Sequence, residues 1–173
     1  DRVLIVDESL LPVWESVRDQ VDVEHVVVSD GAEEPTAGRL SYDRLLGEAN
    51  AENYAPPTLD ERQAAMMCYT SGTTGGPKGV VYSHRAISLH TLGATLSCGF
   101  ELWDADCVLP VVPMFHVNAW GLPFSAAMIG AKLVLPGPNL DPDVLLAAMQ
   151  QEGVTFTAGV PTVWRGVLAA LDA

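Results

Sequence analysis

Apolar and polar positions switch between two periods along this chain. Val3 to Val6 is a short β-rich run, and Leu10, Leu11, Trp14 and Val17 then recur at helical spacing in the stretch up to Gln20. Val23 to Val28 returns to a strand pattern. Strand, helix and strand in that order predict a parallel pair with a right-handed crossover. Residues 29 to 63 read as a long connection, acidic as far as Pro57 and punctuated by Pro35, Gly38, Pro56 and Pro57. It holds one predicted helix, Tyr42 to Ala49, with Ser41 as its N-cap.

Beyond residue 63 the alternation is regular. Predicted strands are Ala64 to Tyr69, Val80 to Ser83, Cys107 to Val112, Lys132 to Leu135 and Val154 to Ala158. Predicted helices are His84 to Cys98, Val117 to Ile129, Asp141 to Gln151 and Thr162 to Leu171. Asp141 is placed as an N-cap, with Pro142 at the first helical position. Repeated strand–helix alternation predicts an α/β fold: a mostly parallel open sheet flanked by helices, forming a single subdomain over residues 1–173.

Composition narrows the function classes. The 173 residues are 49% hydrophobic, which suits one domain with a sizeable core. The formal net charge of −13 repels nucleic-acid phosphates and anionic lipids, so neither is an expected partner. Val108 to Ala131 carries no charge and is long enough to cross a bilayer, but Pro110, Pro113, His116, Asn118, Gly121 and Pro123 interrupt it. A buried strand followed by a helix is expected there, with no transmembrane span. Cys68, Cys98 and Cys107 are odd in number, lack CxxC spacing and lie in apolar surroundings. They are expected to be buried, reduced thiols of a cytoplasmic protein. The chain starts at Asp1 with no basic-then-apolar leader and ends inside a helical pattern, so it is expected to be a piece of a longer protein.

The chemistry concentrates between the first two predicted strands beyond residue 63. The run Tyr69-Thr70-Ser71-Gly72-Thr73-Thr74-Gly75-Gly76-Pro77-Lys78-Gly79-Val80 combines hydroxyls, glycines and one lysine. A polyphosphate needs that mixture: backbone N–H groups that come close, O–H donors and a cation. A Walker A loop is excluded, because Pro77 precedes Lys78, Gly79 follows it and a strand comes next. No GxGxxG spacing opens a helix, so a dinucleotide fingerprint is also absent. Gly-Gly-Pro is turn chemistry in its own right, but an ordinary turn leaves Thr70, Ser71, Thr73, Thr74 and Lys78 unexplained. There is no HExxH, no Cys/His cluster and no GxSxG elbow.

This run resembles the signature loop of the adenylate-forming enzymes: acyl-CoA synthetases, luciferases and peptide-synthetase adenylation domains. The resemblance implies that Thr70, Ser71, Gly72, Thr73, Thr74 and Gly75 contact the phosphates of ATP, that Lys78 is their counter-charge, and that Thr70 is a ligand of Mg2+. The Ser83-His84 pair is similar to the family too, with His84 expected to serve the helix start rather than a ligand. A second segment, Val112-Pro113-Met114-Phe115-His116-Val117-Asn118-Ala119-Trp120-Gly121-Leu122-Pro123, resembles the acyl-site motif of long- and medium-chain fatty acyl-CoA synthetases. By that resemblance His116 borders the carboxylate and adenylate as the catalytic histidine, and Trp120 gates the acyl channel. His116 and Trp120 are four residues apart, which on a helix would set them on one face.

Val154-Thr155-Phe156-Thr157-Ala158-Gly159-Val160-Pro161-Thr162 looks like the strand and turn lining the family's acyl pocket, which makes Gly159, Val160 and Pro161 substrate-binding candidates. Gly159 would let backbone approach a ligand closely. No Asp or Glu lies between Asp106 and Asp141, and a dry pocket for an α-ammonium group needs a carboxylate. An amino-acid substrate is thus disfavoured.

The resemblance implies an internal fragment of the large domain of an ATP-dependent fatty acyl-CoA synthetase, using ATP, Mg2+ and coenzyme A. The family's later motifs, including its catalytic lysine, are absent, so the isolated chain is expected to be inactive. Self-association through exposed apolar surface is a further expectation. The sequence leaves other classes open: a non-catalytic phosphate-binding or structural module, or an acid–CoA ligase for a short or thioether carboxylate.

Overall fold

The computed structural model describes residues 2–29, 38–70, 75–96 and 98–172. The chain divides into two compact units, Asp1–Pro57 and Thr58–Ala173.

In the first unit, β1 (Val3–Asp7) and β2 (His25–Ser29) pair in parallel with Val6 opposite Val28. The connection between them holds α1 (Leu11–Val17), flanked by single turns of 3-10 helix. This is the strand–helix–strand unit that the apolar spacing predicts. A short β3 (Leu40–Ser41) extends the sheet in the order β1-β2-β3. On β1, Val6 is buried whereas Val3 and Ile5 face outward, as strand alternation requires, and on β2 the neighbours Val27 and Val28 are both buried. Ser41 caps α2 (Tyr42–Glu48) by accepting the Arg44 N–H. Of the predicted connection over residues 29 to 63, residues 30–37 lie outside the described residues.

The second unit contains the remaining strands in separate sheets. β4 (Ala64–Thr70) and β5 (Lys78–Ser83) form an antiparallel pair. β6 (Cys107–Pro110), β7 (Lys132–Leu133) and β8 (Phe156–Ala158) form a parallel sheet in the order β7-β6-β8. The mostly parallel sheet predicted from the alternation is thus distributed over three sheets. Strand order depends on long-range pairing, which local patterning does not encode.

The second parallel sheet is covered on both faces. Val108 and Leu109 are both fully buried, and as neighbours on a strand they point to opposite sides. Val108 packs with Leu102, Val112, Ala119, Leu122, Ala126 and Ala158. Phe100 and Phe156 meet edge to face beside this cluster, with ring centroids 5.5 Å apart. Leu109 packs with Val111, Leu145 and Val167 on the other side. The helices responsible are α5 (Leu122–Ile129) for the first cluster, and α6 (Pro142–Glu152) and α7 (Pro161–Leu171) for the second. Asp141 stands at the N-cap of α6 as expected, but its carboxylate makes no capping bond. No helix of the described residues is long and apolar enough to cross a membrane.

Two expectations are corrected here. Cys68 and Cys107 are buried free thiols, but Cys98 is exposed, because α3 (His84–Thr95) ends short of it. The predicted helix Val117 to Ile129 is also not one helix. Its first turn, α4 (Val117–Trp120), is left-handed and is separated from α5 by Gly121.

Candidate functional site

The phosphate-loop candidates begin at the end of β4. Thr70 pairs in register with Lys78, the first residue of β5. The Thr70 hydroxyl donates to the Lys78 carbonyl at 3.4 Å, and both residues are exposed. A hydroxyl and an ammonium thus stand across the mouth of the loop. Gly75 is likewise exposed. Ser71, Gly72, Thr73 and Thr74 lie outside the described residues. β5 runs into α3 through Ser83, whose hydroxyl accepts the Ala86 N–H at 3.1 Å. The His84 N–H donates to the Gln63 carbonyl, which fastens the start of α3 to the approach to β4.

His116 and Trp120 sit on the segment that follows β6. Val117, Asn118, Ala119 and Trp120 have φ values of 48, 51, 51 and 59°, and Gly121 follows at 76°. Left-handed backbone costs about 1–2 kcal/mol for each ordinary residue. Such a run persists only where its surroundings hold it. Several do. Ala119 is fully buried in the apolar cluster. The Ala119 N–H donates to the His116 carbonyl and the Gly121 N–H to the Asn118 carbonyl, at 3.1 and 3.0 Å. The Cys68 thiol donates to the Asn118 side-chain oxygen at 3.1 Å. The expected placement of His116 and Trp120 on one face of a right-handed helix therefore fails. His116 precedes the left-handed turn in extended backbone, and Trp120 closes it.

The Cys68–Asn118 bond joins the two motifs. β-strand alternation puts Cys68 and Thr70 on one face of β4. The leading strand of the phosphate hairpin thus packs against the turn that carries Trp120.

A cavity of about 230 Å³ opens between α3 and this turn, lined by Tyr82, Ile87, His90, Thr91, Asn118 and Phe124 among others. Among the described residues no carboxylate lines it. The Thr91 hydroxyl is spent on the Ile87 carbonyl at 2.8 Å, so it adds little polarity to the wall. A second apolar groove of about 370 Å³ lies between Pro110–Phe115 and Leu135–Leu140. His116 and Trp120 stand on the segment between these two hollows, both exposed.

Gly159, Val160 and Pro161 leave the carboxyl end of β8, which is paired with β6. The Val111 N–H donates to the Ala158 carbonyl at 2.8 Å, so this turn and the segment leading to His116 emerge side by side. Ligands of open α/β sheets gather at such carboxyl edges. The close approach that Gly159 permits is made by Trp164. Its indole N–H donates to the Gly159 carbonyl at 3.0 Å, and its ring lies 2.8 Å from where a Cβ would stand.

Sequence reasoning missed most of the cavity wall. Ile87, His90 and Thr91 share helical spacing on α3, a signal that was available. Asn118 and Gly121 lie inside the motif that was singled out but carried no assigned role. Among the described residues no group of three or more His, Cys, Asp or Glu side chains is placed to hold a metal ion.

Comparisons with known proteins give the family and the fold. The sequence profile of the AMP-binding enzyme family matches residues 1–173. The long-chain-fatty-acid–CoA ligase of Thermus thermophilus is 53% identical over 99% of this chain, which corresponds to 31% of that protein. The medium-chain-fatty-acid–CoA ligase of Ectopseudomonas oleovorans is 45% identical over 98% of this chain and 32% of its own length. The chain thus spans about a third of the length of these relatives. A crystal structure of a long-chain-fatty-acid–CoA ligase from Archaeoglobus fulgidus superposes with a TM-score of 0.83 at 24% identity, over 99% of this chain and 32% of that one, a likeness of fold. With the profile matched from end to end, this chain belongs to the AMP-binding enzyme family.

Proposed function

We propose that this chain supplies the phosphate-binding hairpin and the acyl-site turn of an ATP-dependent fatty acid–CoA ligase acting on medium- or long-chain acids. The observation that carries the reading is the cavity walled by Val117, Asn118 and Gly121 of the turn after His116, with no carboxylate among the described lining residues, in the same unit as the hairpin. A fatty acid needs an apolar channel with few polar groups at its reacting end. The similarity to fatty-acid–CoA ligases supports the same class.

In this reading a fatty carboxylate attacks the α-phosphate of ATP, forming acyl-AMP and releasing pyrophosphate. The thiol of coenzyme A then displaces AMP and yields the thioester. Thr70, Ser71, Gly72, Thr73, Thr74 and Gly75 hold the phosphates through N–H and O–H donors, with Lys78 as the cation. Charge builds on the departing pyrophosphate, and preorganised donors are worth most there. The exposed Thr70 hydroxyl and the ammonium across from it fit a metal–polyphosphate group, so Thr70 would hold Mg2+. When bound, the ion neutralises phosphate charge. His116 borders the carboxylate and adenylate. Trp120 gates the channel, with Gly159, Val160 and Pro161 on the neighbouring turn.

The same reading makes the isolated 173 residues inactive and places the parent enzyme in the cytoplasm, where free thiols such as Cys68 and Cys107 persist. Exposed Tyr69, Trp103 and Phe115 would favour self-association of the isolated chain.

The test is product formation by the intact gene product that carries this chain. Given ATP, Mg2+, coenzyme A, saturated acids from butyrate to stearate and the aromatic acid benzoate, it is expected to form acyl-CoA with medium or long acids, read by mass spectrometry. Thioesters of aromatic acids alone, or none, would refute the reading.

A further inference from the structure

We propose that Cys68 is a positioning residue for acyl binding: its thiol holds the Asn118 side chain and, through it, the left-handed turn whose Val117, Asn118 and Gly121 line the cavity. The inference rests on the functional reading above and assigns a role that the reading leaves empty. Cys68 is buried on β4, two residues before Thr70. Its thiol donates to the Asn118 side-chain oxygen at 3.1 Å across fifty positions of sequence.

Asn118 has two functions at that point. Its backbone sits in the left-handed region, which asparagine tolerates better than most residues. The residue is also one of those lining the cavity, with Val117 and Gly121. Val117 and Trp120 are poorly suited to φ values of 48 and 59°, so the turn needs an external anchor. The bond from Cys68 is the side-chain hydrogen bond found on the turn among the described residues. It comes from the strand that ends in the phosphate loop. Loss of the thiol should therefore loosen acid binding while leaving the phosphate donors in place.

The test is a steady-state comparison of the intact enzyme with Cys68→Ala, Cys68→Ser, Asn118→Gly and the Cys68→Ala/Asn118→Gly pair, each checked for folding by its melting temperature. Cys68→Ala is expected to raise KM for the fatty acid about three- to tenfold, the size of one hydrogen bond, with kcat and the KM for ATP held within about twofold. Cys68→Ser keeps a donor and should recover most of the loss. Asn118→Gly keeps the left-handed backbone but removes the acceptor. It should match Cys68→Ala, and the pair should be no worse than either alone.

Unchanged acid KM in folded Cys68→Ala, or simple addition of the two effects, would overturn the proposal. Equal losses in kcat and in the KM for ATP would also overturn it, since they mark general damage. If Cys68→Ala fails to fold, Asn118→Gly with unchanged acid KM overturns it by itself. A wild-type enzyme that makes no fatty acyl-CoA refutes the functional reading instead, and is recognised before any variant is compared.

Discussion

Trp164 lies against Gly159 with its indole ring 2.8 Å from the position a Cβ would take, while its N–H donates to the Gly159 carbonyl at 3.0 Å. The glycine is needed because an aromatic ring five residues on fills its side-chain space. Gly159→Ala should therefore destabilise the fold by about 1–3 kcal/mol through overpacking. Trp164→Phe keeps most of the ring but leaves the carbonyl short of a donor, for about 1 kcal/mol. Thermal or urea melts of both variants check the pair.

Gly121 meets a different limit. Its φ of +76° disfavours any side chain, and a Cβ there would stand 3.0 Å from the His90 ring. Gly121→Ala should cost about 1–2 kcal/mol from handedness, plus the contact with His90. In a His90→Ala background the contact part disappears and the handedness part stays. A double-mutant cycle on stability separates them.

The Asp106 carboxyl is held below the usual carboxylate range, first by the Thr155 hydroxyl and then by the Trp103 N–H, each at 2.7 Å. A lowered folded-state value means stability that is present above the unfolded value and is lost as pH falls through the folded one. Melting temperature should thus drop on acidification below about pH 4. Thr155→Val should melt lower than wild type at neutral pH, with the gap narrowing in acid. The gap should not close, because the Thr155 oxygen also accepts the Cys107 N–H at 3.0 Å at any pH.

Leu109 and Leu145 are fully buried on the α6–α7 side of β6. Leu109→Ala or Leu145→Ala should each cost about 2–5 kcal/mol. Being in one cluster, their effects should be non-additive, which denaturant midpoints of the single and double variants will show.

How far the sequence carried can be judged residue by residue. The β1–α1–β2 unit and the Ser41 cap were legible, because each rests on local spacing or on one turn's chemistry. The handedness of Val117–Trp120 was not. Val, Asn, Ala and Trp read as ordinary helix, and what holds their φ positive is distant: Cys68 on β4, and the apolar cluster around Ala119. The division of strands among sheets was hidden for the same reason. His90 carries no signal of its own in the sequence, because its place in a cavity wall depends on α3 packing beside α5. The glycine–threonine loop is the reverse case: its residue types suggest phosphate chemistry, whereas the structure describes only its two ends.

The central claim is that this chain helps to activate a fatty carboxylate as its adenylate. The most direct measurement is fatty-acid-dependent ATP–pyrophosphate exchange by the intact gene product, without coenzyme A, beside its Lys78→Ala variant. The account expects exchange that appears only with medium- or long-chain acids and falls about tenfold or more without the lysine. Exchange driven equally by amino acids, no exchange with any fatty acid, or a Lys78→Ala variant as active as wild type would contradict it.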